Sequence, residues 1–256
     1  MTETPPTKKS DLSVRAASAV AMLLVAGGAL WLGGWAWILF VLLIAIGVLW
    51  EWWGLVRRFE PGLAGRGIWM VAGLFYVGLG GFVIMALRGD AVIGWPVLLI
   101  LLLGVIGTDV GAYFTGRTFG GPKIAPSISP SKTWSGLVGG MLGAGLATFL
   151  AIGIVTTRRF ADTVLGSGVD MAGGELFLTM GTAWPSLLGC MVIGAIIAVV
   201  AQTGDFFESW MKRRAGAKDS SNLIPGHGGL FDRADGMLAV AFMIGLVSLY
   251  SYVFGG

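Results

Sequence analysis

The chain has 256 residues, of which 55% are hydrophobic and only 12% charged, and its formal net charge is +3. Soluble domains carry roughly 25% charged residues, so this composition excludes a soluble globular protein and indicates an integral membrane protein. The single His and the single Cys exclude an intrachain disulfide and a zinc site of the usual His and Cys ligands. The basic residues form no stripe that would indicate nucleic-acid binding.

Apolar segments long enough to cross a membrane recur along the chain. A helix needs about 20 residues to span the hydrocarbon of a bilayer, and the alternation typical of a transmembrane barrel is missing. We therefore expect an all-α integral membrane protein, a polytopic bundle of about seven transmembrane helices. A polar tail over residues 1–15 precedes one transmembrane domain, 16–256, with helices near 16–33, 36–55, 68–87, 93–115, 134–155, 185–210 and 236–253.

The positions of Lys and Arg predict the orientation, because such residues flanking the spans stay preferentially in the cytoplasm. With a cytoplasmic N-terminus and seven spans, Arg88, Arg158 and Arg159 are the only ones of the 17 that fall outside. We expect the C-terminus outside and a location in the cell (inner) membrane. Arg57, Arg58, Arg66 and Arg214 are interpreted as signals of this topology or as contacts with anionic lipid.

Two polar segments, near 116–133 and 211–235, then face the cytoplasm together. Prolines at 122, 126 and 130 exclude a continuous helix in the first. Residues 208–235 hold nine of the 31 charged residues and the only histidine. On the outer side, the connection 156–184 is expected to be the longest loop, with a short interfacial helix and no assigned function.

Glycines at helical spacing in the fifth span predict close helix packing. The pairs are Gly136 with Gly140 and Gly139 with Gly143. Two arrangements remain open, a homodimer through this span or packing within one chain.

Carboxylates at the cytoplasmic ends of the spans are the main candidates for function. A charge at the centre of a bilayer costs at least about 2.5 kcal/mol, so these residues are functional candidates by default. Helical spacing puts Asp205, Glu208, Ser209 and Lys212 on one face, and Asp109, Tyr113 and Arg117 on another. The other carboxylates are Asp232, Asp235 and Glu51, of which Glu51 is left without a role.

Carboxylates interleaved with Lys and Arg favour a site for a metal and a phosphate. Carboxylate oxygens bind Mg²⁺, which bridges to phosphates, while Lys and Arg bind phosphate oxygens directly. The glycines around His227 permit positive φ, so this loop could present N–H groups to an anion. For His227 itself, a cap of a turn and a role in ligand binding or proton transfer are both open.

These residues resemble the signature of the phosphatidate cytidylyltransferase (CDP-diacylglycerol synthase) family. The resemblance is carried by Ser209-x-x-Lys212-Arg213-x4-Lys218-Asp219, by Ile224-Pro225-Gly226-His227-Gly228-Gly229 and by Asp232-Arg233-Ala234-Asp235. An earlier segment, Asp109-x-Gly111-Ala112-Tyr113-x-x-Gly116-Arg117 with Ile128-Ser129-Pro130-x-Lys132-Thr133, is similar to a second motif of that family.

The resemblance implies transfer of a cytidylyl group from CTP to phosphatidic acid, giving CDP-diacylglycerol and pyrophosphate at the cytoplasmic surface of the bilayer. It implies Mg²⁺ as cofactor, with a second metal ion left open, held by Asp205 and Asp232. It also implies catalytic roles for Asp232, Asp205, Asp235, Lys218, Asp219 and His227. The implied substrate-binding residues are Lys212, Arg213, Arg233, Ser209, Lys132, Ser129, Asp109, Tyr113, Arg117, Gly228 and Gly229.

Two other functions are weighed against this one. The first is a CDP-alcohol phosphotransferase, because Asp232-x-x-Asp235-Gly236-x-x-Ala239 matches the beginning of its motif. However, Val240 stands where that motif has Arg, and no acidic residue follows Asp235. The second is a non-enzymatic, ion-coupled membrane transporter, which would need carboxylates near the centres of the spans and inverted repeats.

Overall fold

The computed structural model describes residues 9–90, 94–167 and 186–255. The predicted tail up to residue 8 and positions 168–184 of the predicted outer loop lie outside these ranges. Within them, seven helices are long and apolar enough to cross a membrane, which confirms the predicted number and the helical class. The helices are α1 Lys9–Leu32, α2 Gly34–Phe59, α3 Leu63–Gly89, α4 Gly94–Thr118, α5 Trp134–Ser167, α6 Leu187–Arg214 and α7 Phe231–Phe254.

Short polar or glycine-containing stretches determine where several helices end. Gly33 and Gly34 have φ values of 61° and 48°, which only glycine adopts easily, and they separate α1 from α2. After α4, Gly120 and Gly121 also have positive φ, and the three prolines that follow exclude a further helix, as predicted. This segment folds instead into an antiparallel hairpin of β1 Lys123–Ala125 and β2 Ser129–Thr133.

The helices differ from their predicted bounds by up to twelve residues; α1 begins at Lys9, inside the predicted tail 1–15, and α3 begins at Leu63 rather than 68. The fifth continues to Ser167, twelve residues beyond the predicted end at 155, so the prediction that the outer loop begins at 156 was wrong. The seventh begins at Phe231 rather than 236, which puts Asp232 and Asp235 in its first two turns. The deviations of α5 and α7 arise because charged residues at helix ends lower the hydropathy without interrupting the backbone hydrogen bonds.

The chain divides into two compact units. The first consists of described residues within Met1–Gly89 and Phe207–Gly256, and the second of those within Asp90–Phe206. In the first unit, α3 packs against both α2 and α7. Its core is an aromatic cluster around Trp52, whose ring lies 5.7–6.2 Å from those of Trp69, Tyr76, Phe207 and Phe231.

The second unit is dominated by the close packing of α4 on α5. The backbones approach so closely that a Cβ on Gly107 would lie 2.6 Å from the carbonyl oxygen of Gly143. Gly111 faces Gly139 in the same way. The prediction that the glycines of the fifth span serve packing is therefore confirmed, with α4 as their neighbour.

Candidate active site

Glu51 of α2 is the residue that joins the charged loop of the first unit to its helices. Its side chain is 1% exposed and accepts four hydrogen bonds. The Ser220 and Ser221 hydroxyls donate at 2.9 and 2.6 Å, and the backbone N–H groups of Leu230 and Phe231 donate at 2.9 and 2.7 Å. The last two N–H groups lie at the start of α7, where backbone donors have no partner within the helix, so Glu51 caps α7.

Asp232, in the first turn of α7, holds the other side of the same loop. Its Oδ2 accepts hydrogen bonds from the Ser220 N–H at 2.9 Å and the Gly229 N–H at 2.8 Å. The Ser220 hydroxyl lies 2.7 Å from the same oxygen, and its single proton serves either Asp232 or Glu51 at one time. Its Oδ1 pairs with the Lys212 ammonium at 2.5 Å. Both oxygens of Asp232 are thus occupied by groups of the protein itself.

Lys212 lies between two carboxylates. It pairs with Oε2 of Glu208, one turn earlier on α6, at 2.5 Å, as well as with Asp232. The predicted shared face of Glu208 and Lys212 is therefore confirmed. An ammonium group has three N–H donors, and these two carboxylates use two of them.

The other oxygen of Glu208 is an acceptor without a donor. Glu208 is 1% exposed, and among the described residues Oε1 finds no hydrogen-bond partner. A carboxylate oxygen of Asp235 lies within 4.8 Å of a carboxylate oxygen of Glu208. Buried charged oxygens without a partner are costly, so this position favours a bound cation.

The loop around His227 is stabilised by α1. Gly226 and Gly228 have φ values of 75° and 80°, as the sequence predicted for this loop. The Ser18 hydroxyl lies 2.8 Å from Nδ1 of His227 and 3.0 Å from the carbonyl oxygen of Pro225. The hydroxyl has one proton and also lies 3.0 Å from the carbonyl oxygen of Arg15, so Nδ1 of His227 donates to Ser18 in one tautomer and accepts from it in the other.

A pocket in the second unit collects the residues of the earlier motif. The cavity of about 390 Å³ is lined by Asp109, Tyr113, Arg117, Lys132 and Asp205, all predicted from the sequence. Lys132 forms an ion pair with Asp205, and Arg117 Nη1 donates to the Tyr113 hydroxyl at 2.6 Å. The predicted shared face of Asp109, Tyr113 and Arg117 is confirmed.

The remaining predicted site residues lie at the margins of these clusters. Arg233 donates from Nε to the carbonyl oxygen of His227 at 3.2 Å. Ser129 in β2 and Ser209 in α6 are buried. The exposed members are Arg213, Lys218, Asp219 and Arg233.

Three contributions were not predicted. Glu51 was left without a role, Ser220 and Ser221 were not considered, and Glu208 was named without being assigned to the metal. A signal for Glu51 was present, because an acidic residue inside an apolar span is expensive unless it is bound by donors. The serines gave no comparable signal, since Ser is common in loops.

Comparison with known proteins agrees with these motifs. A model described as the cytidylyltransferase family matches residues 63–251. A phosphatidate cytidylyltransferase of Brucella suis biovar 1 (strain 1330) is 40% identical over 192 residues, 75% of this chain and 58% of that protein. One of Rickettsia bellii (strain RML369-C) is 31% identical over 237 residues, 91% of this chain and 89% of that protein.

The matched part of the chain thus spans a little over half the length of the Brucella relatives, and nearly all of the Rickettsia one. The match extends through both motifs and the helices that carry them. The resemblance inferred from the sequence is confirmed, and the chain belongs to the cytidylyltransferase family.

Proposed function

We propose that the protein is a phosphatidate cytidylyltransferase, which converts CTP and phosphatidic acid to CDP-diacylglycerol and pyrophosphate. The names of its relatives support this reaction. The observation that carries the proposal is the buried group of Glu208, Lys212 and Asp232 at the polar end of α6 and α7. A helix end rich in such groups suits a reaction between a nucleotide in water and a lipid in the bilayer.

The donor set fits a divalent cation such as Mg²⁺, which takes oxygen ligands and retains water. We propose that Glu208 and Asp235 hold it, because Glu208 has an oxygen without a hydrogen-bond donor. Asp205, also predicted as a ligand, lies in the second unit, where its carboxylate pairs with Lys132. Asp232 suits the role predicted for it less well, because its oxygens already bind Lys212 and the loop.

In the reaction, a phosphate oxygen of phosphatidic acid attacks the α-phosphorus of CTP, a new P–O bond forms, and the bond to the pyrophosphate oxygen breaks. A metal ion held by Glu208 and Asp235 would supply positive charge to the phosphate oxygens. Lys212, oriented by two carboxylates, directs its remaining N–H donor toward a phosphate oxygen. Asp232 acts as a positioning residue for Lys212 and for the loop.

The surrounding basic residues are proposed to bind the phosphates of the substrates. In the first unit these are Arg213, Lys218 and Arg233, with the N–H group of Gly228, while Asp219 and Ser209 contribute further polar side chains. The Gly229 N–H, predicted for the same role, donates to Asp232 instead. His227 is proposed to position a phosphate or to move a proton. In the second unit, Lys132, Ser129, Arg117, Tyr113 and Asp109 are proposed to serve substrate binding around their pocket.

We further propose that residues 16–256 form one transmembrane catalytic domain in the cell (inner) membrane. Its N-terminus and active site face the cytoplasm, and its C-terminus lies outside. The distribution of Lys and Arg supports this orientation.

Conversion of radiolabelled CTP by the purified, detergent-solubilised protein tests the proposal. Lipid-extractable cytidine label is expected only when phosphatidic acid and Mg²⁺ are both present, with pyrophosphate released in equal amount. Asp232→Asn should reduce the label strongly, whereas Asp162→Asn, an exposed carboxylate on α5, should not. Folded wild-type protein that forms no labelled lipid with any divalent metal would rule out this function.

A further inference from the structure

A basic pocket in the first unit has no role in the proposed reaction. It is a cavity of about 550 Å³ between the end of α2, the start of α3 and loop residues 220–222. Three arginines line it, Arg57 and Arg58 from α2 and Arg66 from α3. Trp50, Glu51 and Asn222 complete much of the wall.

The three guanidinium groups lack a carboxylate partner. None of them forms an ion pair within the part of the chain that the structure describes. Arg57 lies over the ring of Trp53 at 5.5 Å, and Arg66 donates from Nε to the carbonyl oxygen of Glu60 at 2.7 Å. These contacts orient two of the side chains without neutralising their charge.

The one carboxylate in the wall, Glu51, offsets one of these three charges. Both oxygens of Glu51 accept hydrogen bonds from Ser220, Ser221 and the start of α7. The lining carries three guanidinium groups and one carboxylate, a formal net charge of +2, which favours an anion. Guanidinium groups bind phosphate oxygens in a fork geometry, so phosphate is the chemical class that fits best.

The position of the pocket along the helices indicates that the phosphate belongs to a lipid headgroup. Arg57 and Arg58 are in the last turn of α2 and Arg66 is in the first turn of α3, so the pocket lies at the ends of two spans. Trp50 in its wall is 61% exposed, and Trp residues of membrane proteins concentrate at the level of the lipid headgroups. Basic pockets at this level bind anionic headgroups.

We propose that this pocket binds the headgroup phosphate of an anionic phospholipid of the surrounding leaflet. The inference concerns binding and does not depend on the proposed reaction. Ser220 and Ser221 line the pocket and also donate to Glu51. A lipid bound there consequently stabilises the loop that connects α6 to α7.

The test measures the dissociation constant of dioctanoyl phosphatidylglycerol for the full-length protein in a non-ionic detergent. This lipid is anionic but lacks the terminal phosphate that a cytidylyl transfer would need, so its binding is separate from turnover. We expect Arg58→Gln/Arg66→Gln to raise the dissociation constant about tenfold or more, because two of three charges are removed. The matched control is Arg158→Gln/Arg159→Gln on α5, which should leave the constant unchanged.

Two further measurements distinguish a lipid headgroup from a nucleotide as the source of the phosphate. Dioctanoyl phosphatidylcholine, which is zwitterionic, should bind much more weakly than phosphatidylglycerol, and saturating CTP or inorganic pyrophosphate should not displace the anionic lipid. Equal affinity of the wild type and the variant would overturn the proposal, and displacement by CTP would assign the pocket to the nucleotide instead. Arg58→Gln alone replaces one exposed side chain and keeps the test valid if the double variant fails to fold.

Discussion

At the scale of single residues, the carboxylates around the charged loop have different tasks. Asp232 and Glu51 accept most of their hydrogen bonds from the loop and from α7. Glu208 pairs with Lys212 through one oxygen, and the other has no donor among the residues that the structure describes. The first two therefore determine the structure of the loop. Glu208 is the residue best suited to a cation.

Replacing Glu208 should separate metal binding from folding. Glu208→Gln removes the charge while retaining the size of the side chain, so the Mg²⁺ concentration for half-maximal turnover should rise by about 10- to 100-fold. Titration of turnover against Mg²⁺ measures this, with Asp162→Asn as the control for loss of a carboxylate. An unchanged Mg²⁺ requirement with lower maximal turnover would contradict the assignment of Glu208 to the metal.

Replacing Glu51 should instead lower stability. In Glu51→Gln an amide NH₂ stands where a carboxylate oxygen now accepts two hydrogen bonds, and at least one buried donor loses its partner. We expect the free energy of unfolding to fall by about 1–3 kcal/mol for each such donor. Thermal denaturation in detergent checks this, and Glu60→Gln is the comparison, because Glu60 lies outside this network. A denaturation midpoint equal to that of the wild type would refute the capping role.

At the scale of elements, the sequence predicted the spans well and their ends poorly. A run of about 20 apolar residues has few alternatives to a membrane helix, but the fall in hydropathy at its ends does not end the helix. The fifth helix continues through Thr156–Ser167, and the seventh begins as early as Phe231. The hairpin of β1 and β2 was missed because its strands contain only three and five residues. Strands this short are stabilised by pairing with the neighbouring strand, and they contain too few residues to show a recognisable alternation of apolar and polar side chains.

The same limit applies to the candidate site. Asp109, Tyr113 and Arg117 could be grouped because helical spacing is a local property. Glu51 and Ser221 could not, because they lie 170 residues apart along the chain and neither spacing nor charge connects them. Motif residues were thus identified from sequence, whereas the groups that orient them required the structure.

The packing of α4 on α5 leads to a prediction about helix association. In Gly107→Val the new Cβ would meet the carbonyl group of Gly143 and the Cβ of Ala147 within 2.9 Å, and backbone atoms cannot rotate away. Overpacking of this kind costs about 1–3 kcal/mol, so the denaturation midpoint should fall. Gly78→Val on α3, where a Cβ meets nothing within 4 Å, is the matched control. Equal midpoints for the two variants would refute close packing of these helices.

At the scale of the whole molecule, the orientation in the membrane can be tested by cysteine labelling. The single native cysteine, Cys190, is 2% exposed and can be replaced by Ala. In this background Asp162→Cys should react with a membrane-impermeant maleimide in intact cells, whereas Leu223→Cys should react only after permeabilisation. The reverse pattern would invert the proposed topology, and labelling of both positions in intact cells would contradict the number of spans between them.

The network of Glu51 also has a consequence for biosynthesis. The unit that contains it is discontinuous, because Asp90–Phe206 is inserted between its two parts. Until α7 has been made, the carboxylate on α2 lacks the donors that α7 and its preceding loop supply 169–180 residues later. A nascent or truncated chain without α7 therefore carries an uncompensated charge in an apolar helix. This charge destabilises the chain until α7 inserts.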